Sequence, residues 1–139
     1  MVPCAKDVIR QWFYDVWNRK DPSAIDRLTT PDCIIHGLAE GGPTPGGVPH
    51  FKQFHAIFCS TYPDMLITVE DLIEEGDRVA WRITFRGTHT GHALGMPASN
   101  RPILVTAIGI SRIVDGRIVE AWNEFDRYGM FQQINAVRP

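Results

Sequence analysis

Apolar residues at Val8, Ile9, Trp12, Phe13, Val16 and Trp17 recur at spacings of three and four, the mark of a helix that buries one broad stripe. This predicts a helix over residues 5–19. Asp21-Pro22 then reads as an N-cap with proline in the first turn, opening a short helix through Ile25 and Leu28. Cys33–His36 forms a short strand that runs into Gly41–Gly47, a Gly/Pro-rich stretch unsuited to regular structure. A third helix, from about Pro49 to Tyr62, aligns Phe51, Phe54, His55 and Phe58 along one side and stops at Pro63-Asp64.

Beyond that point the period changes to two. Met65–Ile73 and Arg78–Arg86 are joined by Glu75-Gly76-Asp77, and Leu104–Val114 and Arg117–Asp126 by Asp115-Gly116. Both junctions are hairpin signals, because a tight primed turn needs positive φ. Gly91–Arg101, rich in Gly, Pro and Ala, links the two hairpins, and Met130, Phe131 and Ile134 in the tail 128–136 lie at helical spacing. Helices first and strands afterwards predict one α+β domain, residues 1–139, with helices on one face of an antiparallel sheet.

Composition narrows the partners. At 139 residues the chain can build a core without metals or disulfides. A net charge of -2 offers no basis for binding nucleic acid or an anionic membrane. No apolar run is long enough to span a bilayer. Cys4, Cys33 and Cys59 are an odd count without Cys-x-x-Cys spacing, which reads as reduced thiols in a cytoplasmic protein with no zinc site.

Alternation sorts the strand residues onto two faces. Trp81, Ile83 and Phe85 share one face of their strand, and Arg82 lies on the other. In the following strands Ala107 and Gly109 fall together, as do Asn123 and Phe125. One way of combining the strands puts Ala107, Gly109, Asn123 and Arg82 on a concave face. They would then floor a pocket for a hydrophobic small molecule, with Trp17, Phe54, Phe58 and Met96 as further walls. The bulky face with Trp81, Ile83 and Phe85 would then meet a second subunit in a homodimer. Alternation does not decide between this assignment and its exchange.

Several stretches occur in an order that resembles a known family. They are Thr30-Pro31-Asp32 through His36-Gly37, Tyr62-Pro63-Asp64, Glu75 to Ala80, Gly87-Thr88-His89-Thr90-Gly91, Ser111 to Ile113, Asp115 to Glu120, Trp122 to Asp126, and Gln132-Gln133. The set resembles the SnoaL-like polyketide cyclases, in the superfamily named for nuclear transport factor two. That resemblance implies a cone-shaped, cystatin-like α+β fold, a curved antiparallel sheet around N-terminal helices with a pocket at the wide end. It also implies cofactor-independent ring closure or isomerisation by proton transfer beside a carbonyl.

The resemblance further implies roles for residues. The acidic position of the cyclases on the last strand is Asn123 here, and Ala107 and Gly109 stand where those cyclases carry Gln and His. An amide cannot serve as general base, but it can hydrogen-bond an oxygen that gains charge. His36 sits in a place comparable to that of the base in the isomerases of the superfamily, so it would be either the proton carrier or a structural histidine that fixes the adjoining loop through hydrogen bonds. Arg82, if inward, would meet a ligand oxyanion or form a buried ion pair with Asp126 or Asp64. The epoxide hydrolases of the superfamily use an Arg between two carboxylates to activate water, but Thr84 here is no carboxylate. Asp126 would orient the set, or cap the C-terminal helix. A non-catalytic binding module, and hydration of an epoxide, are the competing readings. His55 is expected as a satisfied core histidine, and His89 and His92 as solvated loop residues.

Overall fold

A computed structural model describes residues 3–38 and 46–134. The first helix begins as α1, Ala5–Gln11, and continues as a π-helix over Trp12–Asn18, where the Arg19 N–H donates to the Tyr14 carbonyl five residues back. The hydrophobic stripe of this helix is buried, with Val8, Ile9 and Val16 wholly enclosed. α2 covers Ser23–Leu28, and the Asp21 carboxylate accepts from the Ser23 N–H at 3.0 Å. α3 runs over Val48–Thr61 and α4 over Arg127–Gln133. Residues 41–45 of the expected Gly-rich stretch, and residues 135–136 of the expected tail, lie outside the described residues. None of the described helices is long and apolar enough to cross a membrane.

Five strands, β1 Thr29–His36, β2 Leu66–Glu75, β3 Arg78–Thr88, β4 Pro102–Val114 and β5 Arg117–Phe125, form one sheet in the order β1-β5-β4-β3-β2. Both hairpins form where expected. Asp115 and Gly116 take φ of 51° and 78°, and Gly76 takes 60°, as primed turns require. One expectation fails, because β1 pairs parallel to β5 and the sheet is mixed. No tight turn joins these two strands; α3 and both hairpins intervene, so nothing forces them antiparallel. Register shifts between Thr29 and Ile34, Val69 and Asp71, and Arg112 and Ile113 interrupt the pleat. Such bulges bend a strand and curve its sheet.

Register also decides the faces. Trp81 stands opposite Gly109, Ile83 opposite Ala107, Gly109 opposite Asn123, and Ala107 opposite Phe125. Directly paired residues share a face. The small residues and Asn123 therefore lie with Trp81, Ile83 and Phe85, which are buried beneath the helices. Arg82 pairs with Ile108 and belongs to the open face. The assignment that grouped Arg82 with Asn123 and sent Trp81 to a partner is thus corrected, since each strand's alternation is sound but its phase relative to the next strand was not.

The row of small residues has a packing cause. A Cβ on Gly109 would overlap the Trp81 ring and the Trp122 carbonyl, and the Trp81 indole N–H donates to Ser111 Oγ at 3.1 Å. Gly109 therefore seats a tryptophan instead of flooring a void. The edge of Phe13 meets the same indole, with ring centroids 5.1 Å apart, which ties the π-helical segment to the sheet.

Candidate functional site

Between the helices and the sheet lies an aromatic cavity of about 70 Å³. Trp12, Phe13 and Trp17 wall it from the first helix, Phe51, Phe54 and Phe58 from α3, and Ile83, Ala107 and Phe125 from the sheet. Phe54 stacks on Phe58 with centroids 4.4 Å apart, and Phe125 meets Phe58 edge-on at 5.9 Å. Of the expected walls, Trp17, Phe54, Phe58 and Ala107 are present. Met96 packs on the core from the loop between β3 and β4 but does not line the cavity, and Gly109 lies beneath Trp81.

Asn123 is the polar side chain of the inner face that reaches this cavity, and it also borders a second void of about 20 Å³ beside Cys33 and Ser111. Its Nδ2 donates to the His36 carbonyl at 3.1 Å. A carbonyl only accepts, so that bond assigns the amide nitrogen and turns Oδ1 the other way. Gly37 makes the approach possible, since it adopts φ of 88° and a Cβ there would overlap the Asn123 carbonyl.

The other expected site residues do not converge on Asn123. The His36 ring lies on the open face, where Nε2 hydrogen-bonds Glu120 Oε2 at 2.8 Å and the ring stacks on Trp122 at 5.2 Å. His36 pairs with Trp122 across β1 and β5, and paired residues share a face, so only its backbone carbonyl serves Asn123. Arg82 Nε is held by Asp71 at 2.6 Å, about half exposed. Asp126 accepts the Gly129 N–H at 2.9 Å and is the N-cap of α4, the second of its two expected roles.

The histidines away from the sheet are structural in different ways. His55 Nε2 donates to the Val16 carbonyl at 2.6 Å, a group near the end of the π-helical segment, and burial lowers the ring's pKa. His89 is wholly buried, contrary to the expected solvation. Its Nδ1 accepts the Ser99 N–H at 3.1 Å, which places the proton on Nε2, and burial lowers its pKa too. Asp64 holds the root of the same loop. Its partial burial would raise its pKa, but the N–H and hydroxyl of Thr88, at 2.7 and 2.8 Å, outweigh this and keep it below the ordinary value.

Outside the cavity, α3, α4 and the loop between β3 and β4 enclose a groove of about 390 Å³. Leu38, Phe54 and Phe58 border both spaces and so stand between them. Ligand pockets for drug-sized molecules hold about 300–1,000 Å³. The groove has that capacity and the cavity does not. The lining from α4, Arg127, Met130 and Phe131, escaped the sequence reading. Helical spacing in the tail signalled a packed helix, not which neighbours it would face.

Residues 7–134 match the sequence profile of the SnoaL-like polyketide cyclases. IdmH from Streptomyces antibioticus, a candidate polyketide cyclase, is 34% identical with a TM-score of 0.83, covering 95% of this chain and 99% of its own. TsrD from Streptomyces laurentii is 29% identical with a TM-score of 0.80, covering 95% of each chain. AclR from Streptomyces galilaeus, a candidate hydroxylase, shares the fold with a TM-score of 0.85 at 23% identity, over 97% of this chain and 87% of its own. No curated protein matches the chain in sequence.

Proposed function

The chain belongs to the SnoaL-like polyketide cyclase family, and from that premise we propose that it promotes ring closure or isomerisation of a hydrophobic small molecule beside a carbonyl. One observation carries the reading: a single amide, Asn123, is anchored through its nitrogen and borders a cavity lined mostly by aromatic and aliphatic side chains. Its Oδ1 would accept from an enol or hydroxyl of the substrate, and its second N–H would steady an oxygen that gains charge. The aromatic walls would hold a flexible chain folded, which lowers the entropic part of the barrier to ring closure. Because the cavity is small, the substrate would lie largely in the outer groove, with Leu38, Phe54 and Phe58 moving aside for its reacting end.

A second reading, a non-catalytic binder, draws support from the same cavity, since His36, Arg82 and Asp126 are engaged elsewhere. Two measurements separate the readings. α-Proton exchange in deuterated water, followed by mass spectrometry on β-keto esters and polycyclic aromatic ketones, reports chemistry. Quenching of tryptophan fluorescence reports binding. The enzyme reading expects exchange above the buffer rate, lost in Asn123→Leu and kept in His36→Ala. Solvent or buffer base would take the α-proton while Asn123 stabilises the enolate oxygen. Saturable quenching without exchange or product would favour the binder.

A homodimer in the cytoplasm belongs to the same proposal. Leu104, Ile108 and Ile110 are 55%, 57% and 39% exposed along the middle of the open sheet face. Arg78, Arg112, Glu120 and Glu124 share that face, so both signs of charge accompany the apolar stripe. Such a surface suits a two-fold contact with its own copy.

A further inference from the structure

Arg127 opens α4 at the edge of the outer groove, and among the described arginines it is the one that lines it. Its guanidinium lies over the Phe125 ring, 4.9 Å from the centroid, and one Nη donates to the Leu38 carbonyl at 3.2 Å. The side chain is half-buried, and among the described residues it enters no ion pair. Asp126, its neighbour in sequence, is occupied by the Gly129 N–H. Around it the groove is apolar at Ile57, Leu94, Met130 and Phe131, with His50 and Gln53 adding polar groups from α3.

A guanidinium has five N–H donors in a planar fork, and the Leu38 carbonyl leaves most of them unused. Stacking on an aromatic ring fixes the plane of the fork, and apolar surroundings leave the cation weakly hydrated. Those are the conditions under which a planar carboxylate gains most from pairing with it. A compact ammonium could neither stack in this way nor offer two parallel donors.

We propose that Arg127 makes the outer groove a binding site for an apolar small molecule bearing a carboxylate. The carboxylate seats on the guanidinium, the hydrocarbon body lies between α3 and α4, and the far end abuts Leu38, Phe54 and Phe58. This deepens the reading above and rests on it: the acid anchors the molecule outside while the end that reacts turns toward Asn123.

The test uses 1-pyrenebutyrate and its methyl ester, with pyrene fluorescence anisotropy as readout, on the full chain. The acid should bind the wild-type protein about tenfold more tightly than the ester, the factor expected of a hydrogen-bonded charge, and the preference should shrink with added salt. Arg127→Met should erase it while keeping ester affinity, and Arg127→Lys should retain part of it. Thermal unfolding of each variant checks the fold. Should Arg127→Met fail to fold, the ratio of acid to ester affinity on wild type and its salt dependence decide. Equal binding of acid and ester, or a preference that survives in Arg127→Met, would overturn the anchor alone. Failure of both probes to bind would overturn the hydrophobic-ligand reading with it.

Discussion

Gly109 shows how much one position can decide. Alternation showed a small residue in a row of small residues, which admits either a void or a close neighbour. Trp81 lies in contact above it, donating to Ser111. Gly109→Ala is therefore expected to destabilise the protein by about 1–3 kcal/mol through overpacking, read as a lower urea midpoint with an unchanged slope. An unchanged midpoint would mean that the indole has room to move. Asn123 was legible as an amide on the last strand; its bond to the His36 carbonyl was not, because that partner is distant in sequence. The same distance hid the fact that the His36 ring and the Asn123 amide point to opposite faces.

At the scale of elements, helix periodicity and turn chemistry were read well from sequence. The first helix, α3 and the two hairpins appear where the pattern placed them, since each depends on residues near in sequence. The bulges did not show. Between Arg112 and Ile113 the register slips so that Ile118, not Val119, pairs inward with Ile113, and Ile118 is buried while Val119 is only partly so. A single extra residue reverses alternation beyond it. α4 belongs to this scale as well. Its cap is Asp126, so Asp126→Ala should cost about 1 kcal/mol in chemical unfolding and leave ligand affinity in the cavity unaltered. Lost affinity with unaltered stability would return Asp126 to the site.

For the molecule as a whole, two buried histidines link stability to pH. Burial lowers the pKa of both His55 and His89, so the folded state resists a proton that the unfolded chain accepts. Above the ordinary value of about 6.5 both states are neutral and the rings add no pH dependence. As pH falls below it, the unfolded chain gains protons first and stability drops, until the folded pKa values are passed. The melting temperature should decline below about pH 6.5, and His89→Gln should flatten part of that decline; an identical profile in the variant would remove His89 from it. The second prediction at this scale concerns assembly. Ile108→Glu, on the open sheet face, should convert the proposed dimer to a monomer in light scattering while circular dichroism stays the same. A monomeric wild type would end the dimer proposal.

What the sequence determined alone was everything set by short-range rules: the order of helices and strands, the apolar stripe of each, the two primed turns, and the motif order that marks the family. Tertiary structure decided what depends on bringing distant segments into register. It set the parallel pairing of β1, the face on which Arg82 and His36 lie, the tryptophan seated over Gly109, and the separation of a small cavity from a larger groove that Arg127 borders. The physical reason is that side-chain alternation has a period but no origin. Only hydrogen-bonded pairing between strands, with its bulges, supplies the origin, and only then do faces, partners and cavities acquire definite residues.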